Sequence, residues 1–181
     1  MSTTRLLVLG AVRIFQPVHG YFLRRELMTW RAEQWAALNP GSVYNALKTL
    51  TKDGFLEEVE GERTAYKLTV DGELEYQVLL REALWTVDPH DPSRLLAGMS
   101  FALSLSREEV IAALESRVAQ IEAAAKATPF TIESFRGDPN KPAHVAEHLL
   151  LTDARMRGEA EWARAVVQRL RDGEYTFDNE R

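Results

Sequence analysis

Residues 39–68 constrain the fold more than any other part of the chain. They read Asn-Pro-Gly-Ser-Val-Tyr-Asn-Ala-Leu-Lys-Thr-Leu-Thr-Lys-Asp-Gly-Phe-Leu, then Glu-Glu-Val-Glu-Gly-Glu-Arg-Thr-Ala-Tyr-Lys-Leu. At about 100° per residue, Val43, Leu47 and Leu50 share one narrow arc, and Ala46 borders it. Asn45, Lys48 and Lys52 point the opposite way, flanked by Ser42 and Thr49. Pro40 suits a first helical position, Asn39 or Ser42 can cap, and Gly54 suits a left-handed stop. The second half predicts two short strands around a Gly-Glu-Arg-Thr tip. A helix followed at once by a β-hairpin builds a winged helix-turn-helix, a fold that mostly binds DNA.

Amides, hydroxyls and ammonium groups on one helix face reach base edges and phosphates. The same face also suits an amphipathic surface helix whose polar side is merely solvated. Arg63, at the hairpin tip with no packing purpose, favours the DNA reading.

Several short pieces along the chain resemble the PadR family of transcriptional regulators. They are Leu6-Leu7-Val8-Leu9-Gly10, His19-Gly20-Tyr21, Pro40-Gly41-Ser42-Val43-Tyr44, Leu47, Leu50, Asp53-Gly54, Tyr66-Lys67-Leu68-Thr69 and Gly72, in family order. The resemblance covers roughly residues 4–85. More loosely, Arg157-Gly158-Glu159-Ala160-Glu161-Trp162 resembles the last helix of longer members. It implies a dimeric repressor with a helical C-terminal dimerisation domain, and some members release DNA on binding small aromatic or planar molecules. The DNA-facing residues expected are Tyr21, Arg24, Arg25, Ser42, Tyr44, Asn45, Lys48, Thr49, Lys52, Arg63 and Lys67.

Charge has to be reconciled with a polyanionic partner. Residues 1–85 carry ten Lys and Arg against eleven Asp and Glu; residues 86–181 carry twelve against sixteen, and the whole chain is at −5. Neither half is basic in bulk, so local placement within a Debye length of ~8 Å must supply the attraction. Glu57, Glu58 and Glu60, on the strand before the tip, are expected to point away from DNA.

The chain contains no cysteine, which excludes disulfides, thiol redox sensing and thiolate metal sites. No window is long and apolar enough to span a bilayer. A cytoplasmic location is the default expectation. Leu6 to Phe15 is apolar on nearly all sides and reads as a buried helix, with Leu7 among the residues packing against C-terminal helices.

Further helices are expected over about 4–15, 20–30 and 70–85, the last capped by Thr69, with 31–39 as a connector holding Trp35 and Leu38 as core plugs. The segment Thr86-Val87-Asp88-Pro89-His90-Asp91-Pro92 holds two prolines and two aspartates and reads as the linker. The architecture is therefore mostly α with a small β-hairpin wing: a winged helix-turn-helix over 1–85, a linker over 86–92, and a helical dimerisation domain over 93–181. Within the latter, Asp91 and Pro92 start one helix, and Ser106 to Glu109 form a capping box opening another that Thr128-Pro129 closes near Ala127. Residues 129–141 are expected to form a loop. The last helix, about 142–171, carries Val145, Leu149, Thr152, Met156, Glu159, Ala163, Val166 and Leu170 at alternating steps of four and three. That is a coiled-coil-like seam weakened at Thr152 and Glu159. Val145, Leu149, Met156, Trp162, Val166 and Leu170 are the expected dimer contacts, although burial wholly within one chain fits the same pattern.

Two constellations suggest other chemistry. His144, Glu147 and His148 match the H-x-x-E-H spacing of inverted zinc peptidases, but a third ligand and a cleft are needed, and a solvated helix start is the simpler account. Trp85, Met99 and Phe101 would line an apolar effector pocket near the linker, or serve as plain core. No paired carboxylates, catalytic triad or phosphate loop stands out, so no enzyme and no cofactor is expected. A winged helix used only for protein–protein contact remains the alternative, and it suits the acidic total.

Overall fold

A computed structural model of the protein describes residues 3–36, 38–138, 140 and 142–180. The chain divides into two compact units, Met1–Ala83 with Ser93–Phe101, and Leu84–Pro92 with Ala102–Arg181.

In the first unit, helix α1 (Thr3–Phe15) is buried continuously from Leu6 to Val12, as an all-round apolar run requires. Strand β1 (Val18–His19) leads into α2 (Gly20–Thr29), a one-turn α3 (Ala32–Trp35) and α4 (Pro40–Lys52). Strands β2 (Leu56–Val59) and β3 (Ala65–Leu68) form the wing, and α5 (Val70–Trp85) follows. The sheet is antiparallel in the order β1-β3-β2, with Val18 opposite Tyr66 and Glu58 opposite Tyr66 on the other side. Val43, Leu47 and Leu50 are buried, so the arc read from the sequence is the inner face of α4. Gly54, at φ +81°, stops that helix. Thr69 Oγ1 accepts from the Gly72 amide at 3.0 Å and donates to the Gly54 carbonyl at 2.7 Å, so one hydroxyl caps α5 and ties it to the end of α4.

Helix α6 (Ser93–Ser100) belongs to this first unit, although the prolines before it suggested a domain boundary at that point. Leu95, Ala97 and Gly98 are buried, Thr3 and Ser93 share a hydroxyl hydrogen bond of 3.0 Å, and Phe101 lies against Gly10. A Cβ on Gly10 would stand 2.5 Å from the Phe101 ring, so α1 needs glycine there. Proline marks where a helix starts and carries no information about which neighbour buries its face.

The second unit is a helical hairpin. Helix α7 (Arg107–Arg136) opens on a Ser106 cap whose Oγ accepts from the Glu109 amide at 3.1 Å. It runs straight through Pro129 instead of closing at Ala127. A proline in a helix interior removes one backbone bond, at ~3 kcal/mol or more. Here it lies on an exposed face, and the Thr131 hydroxyl donates to the Ala127 carbonyl at 3.1 Å within the same turn. Of the loop expected over 129–141, only the part after Gly137 remains, and Pro139 and Lys141 lie outside the described residues. So does Ala37 of the connector.

A one-turn 3-10 helix (Ala143–Val145) leads into α8 (Ala146–Arg171), which Gly173 terminates at φ +75°. Glu159, the charge in the middle of the expected seam, has a purpose. Arg117 of α7 is 2% exposed and places Nη2 at 2.6 Å and Nε at 3.1 Å from Glu159 Oε1. Its Nη1 donates to the Leu84 and Thr86 carbonyls at 3.1 and 2.6 Å. The tail folds back: Phe177 is fully buried, and Arg107 stacks over its ring while donating to Glu180 at 2.7 Å.

Candidate nucleic-acid interface

Helix α4 is fixed at its start by a reciprocal cap. The Ser42 amide donates to Asn39 Oδ1 at 2.9 Å, and the Asn39 amide donates to Ser42 Oγ at 2.8 Å. Ser42, expected at the DNA face, thus spends its hydroxyl on the cap. Tyr44, Asn45, Lys48, Thr49 and Lys52 are all exposed along the outer side.

Helix α2 crosses beneath α4 at Gly20. A Cβ on Gly20 would meet the Tyr44 ring at 3.0 Å and Leu47 at 3.2 Å, so the first turn of α2 sits directly on α4. Tyr21 projects outward at 60% exposure, with the Arg24 guanidinium 5.6 Å from its ring centre. Arg25 stacks on Phe22 at 4.9 Å and pairs with Glu26 at 3.4 Å.

The wing is more acidic than basic. Arg63 is exposed at the tip among Glu60 and Glu62. Lys67 pairs with its cross-strand neighbour Glu57 at 2.9 Å. Glu57 and Glu58 are adjacent in one strand, and alternation sends them to opposite faces. They therefore do not both turn away from one surface, contrary to expectation. Glu57 is instead neutralised in place by Lys67, while Glu58 lies on the side of Tyr66.

Tyr66 itself was not among the residues expected at the interface. Partial burial, then Glu58, then Tyr44 push its phenol above the ordinary tyrosine range. It faces Glu58 across the ladder, a pairing that no local sequence pattern records.

The other expected sites fall as follows. Leu7 is wholly buried inside its own unit. Val166 and Leu170 are buried within this chain. Val145, Leu149 and Met156 are half-buried, and Trp162, like Leu150 and Leu151, is exposed. Leu149, Thr152 and Met156 border a groove of about 430 Å³ with Val87, Pro89 and Ile121.

Phe101 is core of the first unit, its ring 5.8 Å from Trp30 and 6.0 Å from Tyr76. Met99 is half-buried on α6, and Trp85 is exposed at the end of α5. His144 sits in the 3-10 turn and His148 in α8, so they do not share one continuous helix as the zinc-peptidase spacing assumed. Glu147 pairs with Arg136 at 3.2 Å. Among the described residues, no helix is long and apolar enough to cross a membrane.

Comparison with known proteins adds the following. Residues 8–78 match the transcriptional regulator PadR-like family. No curated protein matches the chain. Among solved structures, Bacillus subtilis PadR in complex with p-coumaric acid shares 18% identity over 93% of this chain and 98% of that one, with a TM-score of 0.39. The same protein in complex with operator DNA shares 18% over 92% and 98%, at 0.35. A PadR-like transcriptional regulator from Bacillus cereus shares 17% over 94% and 99%, at 0.39.

Proposed function

We infer that this chain, whose residues 8–78 match the transcriptional regulator PadR-like family, is a sequence-specific, dimeric repressor that reads an inverted repeat in double-stranded DNA. One observation carries the reading. A rigidly capped α4 presents an amide, a hydroxyl and two ammonium groups outward, and the wing that follows it carries an exposed Arg63 at its tip. Lys48 and Lys52 contact phosphates, and Asn45 bonds a base edge, adenine being the natural partner for a bidentate amide.

Lys48→Ala and Lys52→Ala each weaken binding without altering the unfolding midpoint. Each also makes the slope of log affinity against log salt shallower by roughly one unit for every phosphate no longer neutralised. Gel-shift titrations at several salt concentrations check this, and unchanged affinity in both variants removes α4 from the interface. Asn45→Ala behaves differently. It costs about 1–3 kcal/mol on the best site and much less on random DNA. Equal effects on both would restrict Asn45 to backbone contact.

The partner surface lies in the second unit, where Leu150, Leu151 and Trp162 leave apolar area exposed on α8. A two-fold dimer sets half-sites about 10 bp or a multiple apart. Light scattering at micromolar concentration reads the oligomeric state; a monomer that still binds DNA would defeat the dimer.

Release by a small aromatic effector completes the reading. Such a ligand must bind one state better than the other, because equal affinity shifts nothing. A phenolic acid that quenches tryptophan emission must therefore also move the gel-shift midpoint over the same concentration range.

The acidic wing favours one alternative, a winged helix that contacts only protein. A gel shift on the DNA upstream of the protein's own gene separates the two.

A further inference from the structure

His19, Gly20 and Tyr21 join β1 to α2, and each faces a different part of the first unit. Gly20 lies against α4, and Tyr21 projects outward. His19 turns toward the wing: its Nδ1 lies 3.1 Å from the main-chain carbonyl oxygen of Thr64. A carbonyl only accepts, so Nδ1 carries the hydrogen and donates it.

The place of that bond matters. The β2–β3 ladder ends at the pair Val59–Ala65, and β1 ends at the pair His19–Ala65. Thr64 lies one residue beyond both. Residues 60–64 are all exposed and include Gly61, so the backbone ladder does not fix them. The imidazole reaches past the last pair and holds the carbonyl directly after Arg63.

We propose that His19 is a positioning residue for the wing: by holding the Thr64 carbonyl it sets where the Arg63 guanidinium stands beside the outer face of α4. The proposal rests on the DNA-binding reading for its consequence but not for its geometry. Without the bond, the tip explores more conformations and must be ordered when DNA binds, which lowers affinity without removing any group that touches DNA.

The test uses the full chain. His19→Ala weakens operator binding roughly three- to tenfold, the effect of losing one ordinary hydrogen bond. The double variant His19→Ala/Arg63→Ala binds no worse than Arg63→Ala alone, whereas His19→Ala and Lys48→Ala combine additively. His19→Asn restores binding, because its amide nitrogen occupies the place of Nδ1. His19→Gln, whose amide reaches the place of Nε2, does not. Amide hydrogen exchange over 60–64, measured without DNA, accelerates in the alanine and glutamine variants and returns to the wild-type rate in the asparagine one.

Full additivity of His19→Ala with Arg63→Ala overturns the proposal, and so does unchanged exchange at the tip. Should the alanine variant fail to fold, the contrast between asparagine and glutamine decides. Wild-type protein that binds no DNA defeats the functional reading, and the exchange rates still judge the role of His19.

Discussion

Gly72→Ala severely destabilises the first unit. A Cβ at this position would stand 1.9 Å from the Phe55 carbonyl oxygen and 2.9 Å from its carbon. Both are backbone atoms, so no side-chain rotation relieves the overlap. Phe55 cannot retreat either, because its amide donates to the Leu50 carbonyl at 2.9 Å and its own oxygen accepts from the Thr69 amide at 3.1 Å. Separating α5 from the end of α4 would also break the two hydrogen bonds of the Thr69 hydroxyl. The expected loss is about 4 kcal/mol or more, at the severe end of single substitutions. Gly158→Ala is the matched control. Nothing lies within 4 Å of its Cβ position, it sits mid-helix in α8, and alanine there adds up to ~1 kcal/mol through helix propensity. Urea titrations followed by circular dichroism compare the two. A wild-type midpoint for Gly72→Ala would mean that α5 does not approach Phe55 this closely.

Removing the Arg117 guanidinium damages the second unit nearly as much. Arg117→Ala leaves Glu159 as a largely buried carboxylate without its partner, and it strips the Leu84 and Thr86 carbonyls of a donor. Breaking a buried pair from one side costs about 3–5 kcal/mol. Replacing both members, Arg117→Met with Glu159→Leu, costs much less, since apolar groups of similar volume often substitute for a buried pair without loss. The comparison is therefore a double-mutant cycle read by thermal unfolding. If the double replacement is as unstable as Arg117→Ala, the carbonyl contacts and not the carboxylate carry the energy.

These two positions show where the sequence was readable and where it was not. The inner arc of α4, its stop at Gly54 and the cap at Thr69 follow from periodicity and local backbone chemistry, and all were legible. So was the apolar run of α1. Arg117 was not, because its partners lie 42, 33 and 31 residues away and no local pattern records them. Glu159 looks like a flaw in a seam only while its neighbour on α7 is unknown. Pro129 misleads for the opposite reason. A strong local signal is outweighed by helix on both sides and by a threonine hydroxyl in the same turn. Val166 and Leu170 keep their predicted spacing, yet spacing does not say which chain supplies the opposing surface. In the site, Tyr66 and His19 depend on cross-strand registry, which appears only once the strands are paired. Ser42 is legible both as a cap and as a DNA contact, and its hydrogen bonds assign it to the cap.

The pairing of Lys67 with Glu57 bears on how such a protein would search a genome. Exposed pairs of this kind contribute only ~0–1 kcal/mol, so a phosphate can take the lysine over at little cost. Until that exchange happens, the wing offers passing DNA almost no net attraction. Non-specific affinity comes almost wholly from phosphate contacts, and few uncommitted cations mean brief stays on arbitrary sequence. A regulator built this way wastes few copies on the vast excess of competing sites. Its discrimination then derives as much from weak holding elsewhere as from tight holding at the operator.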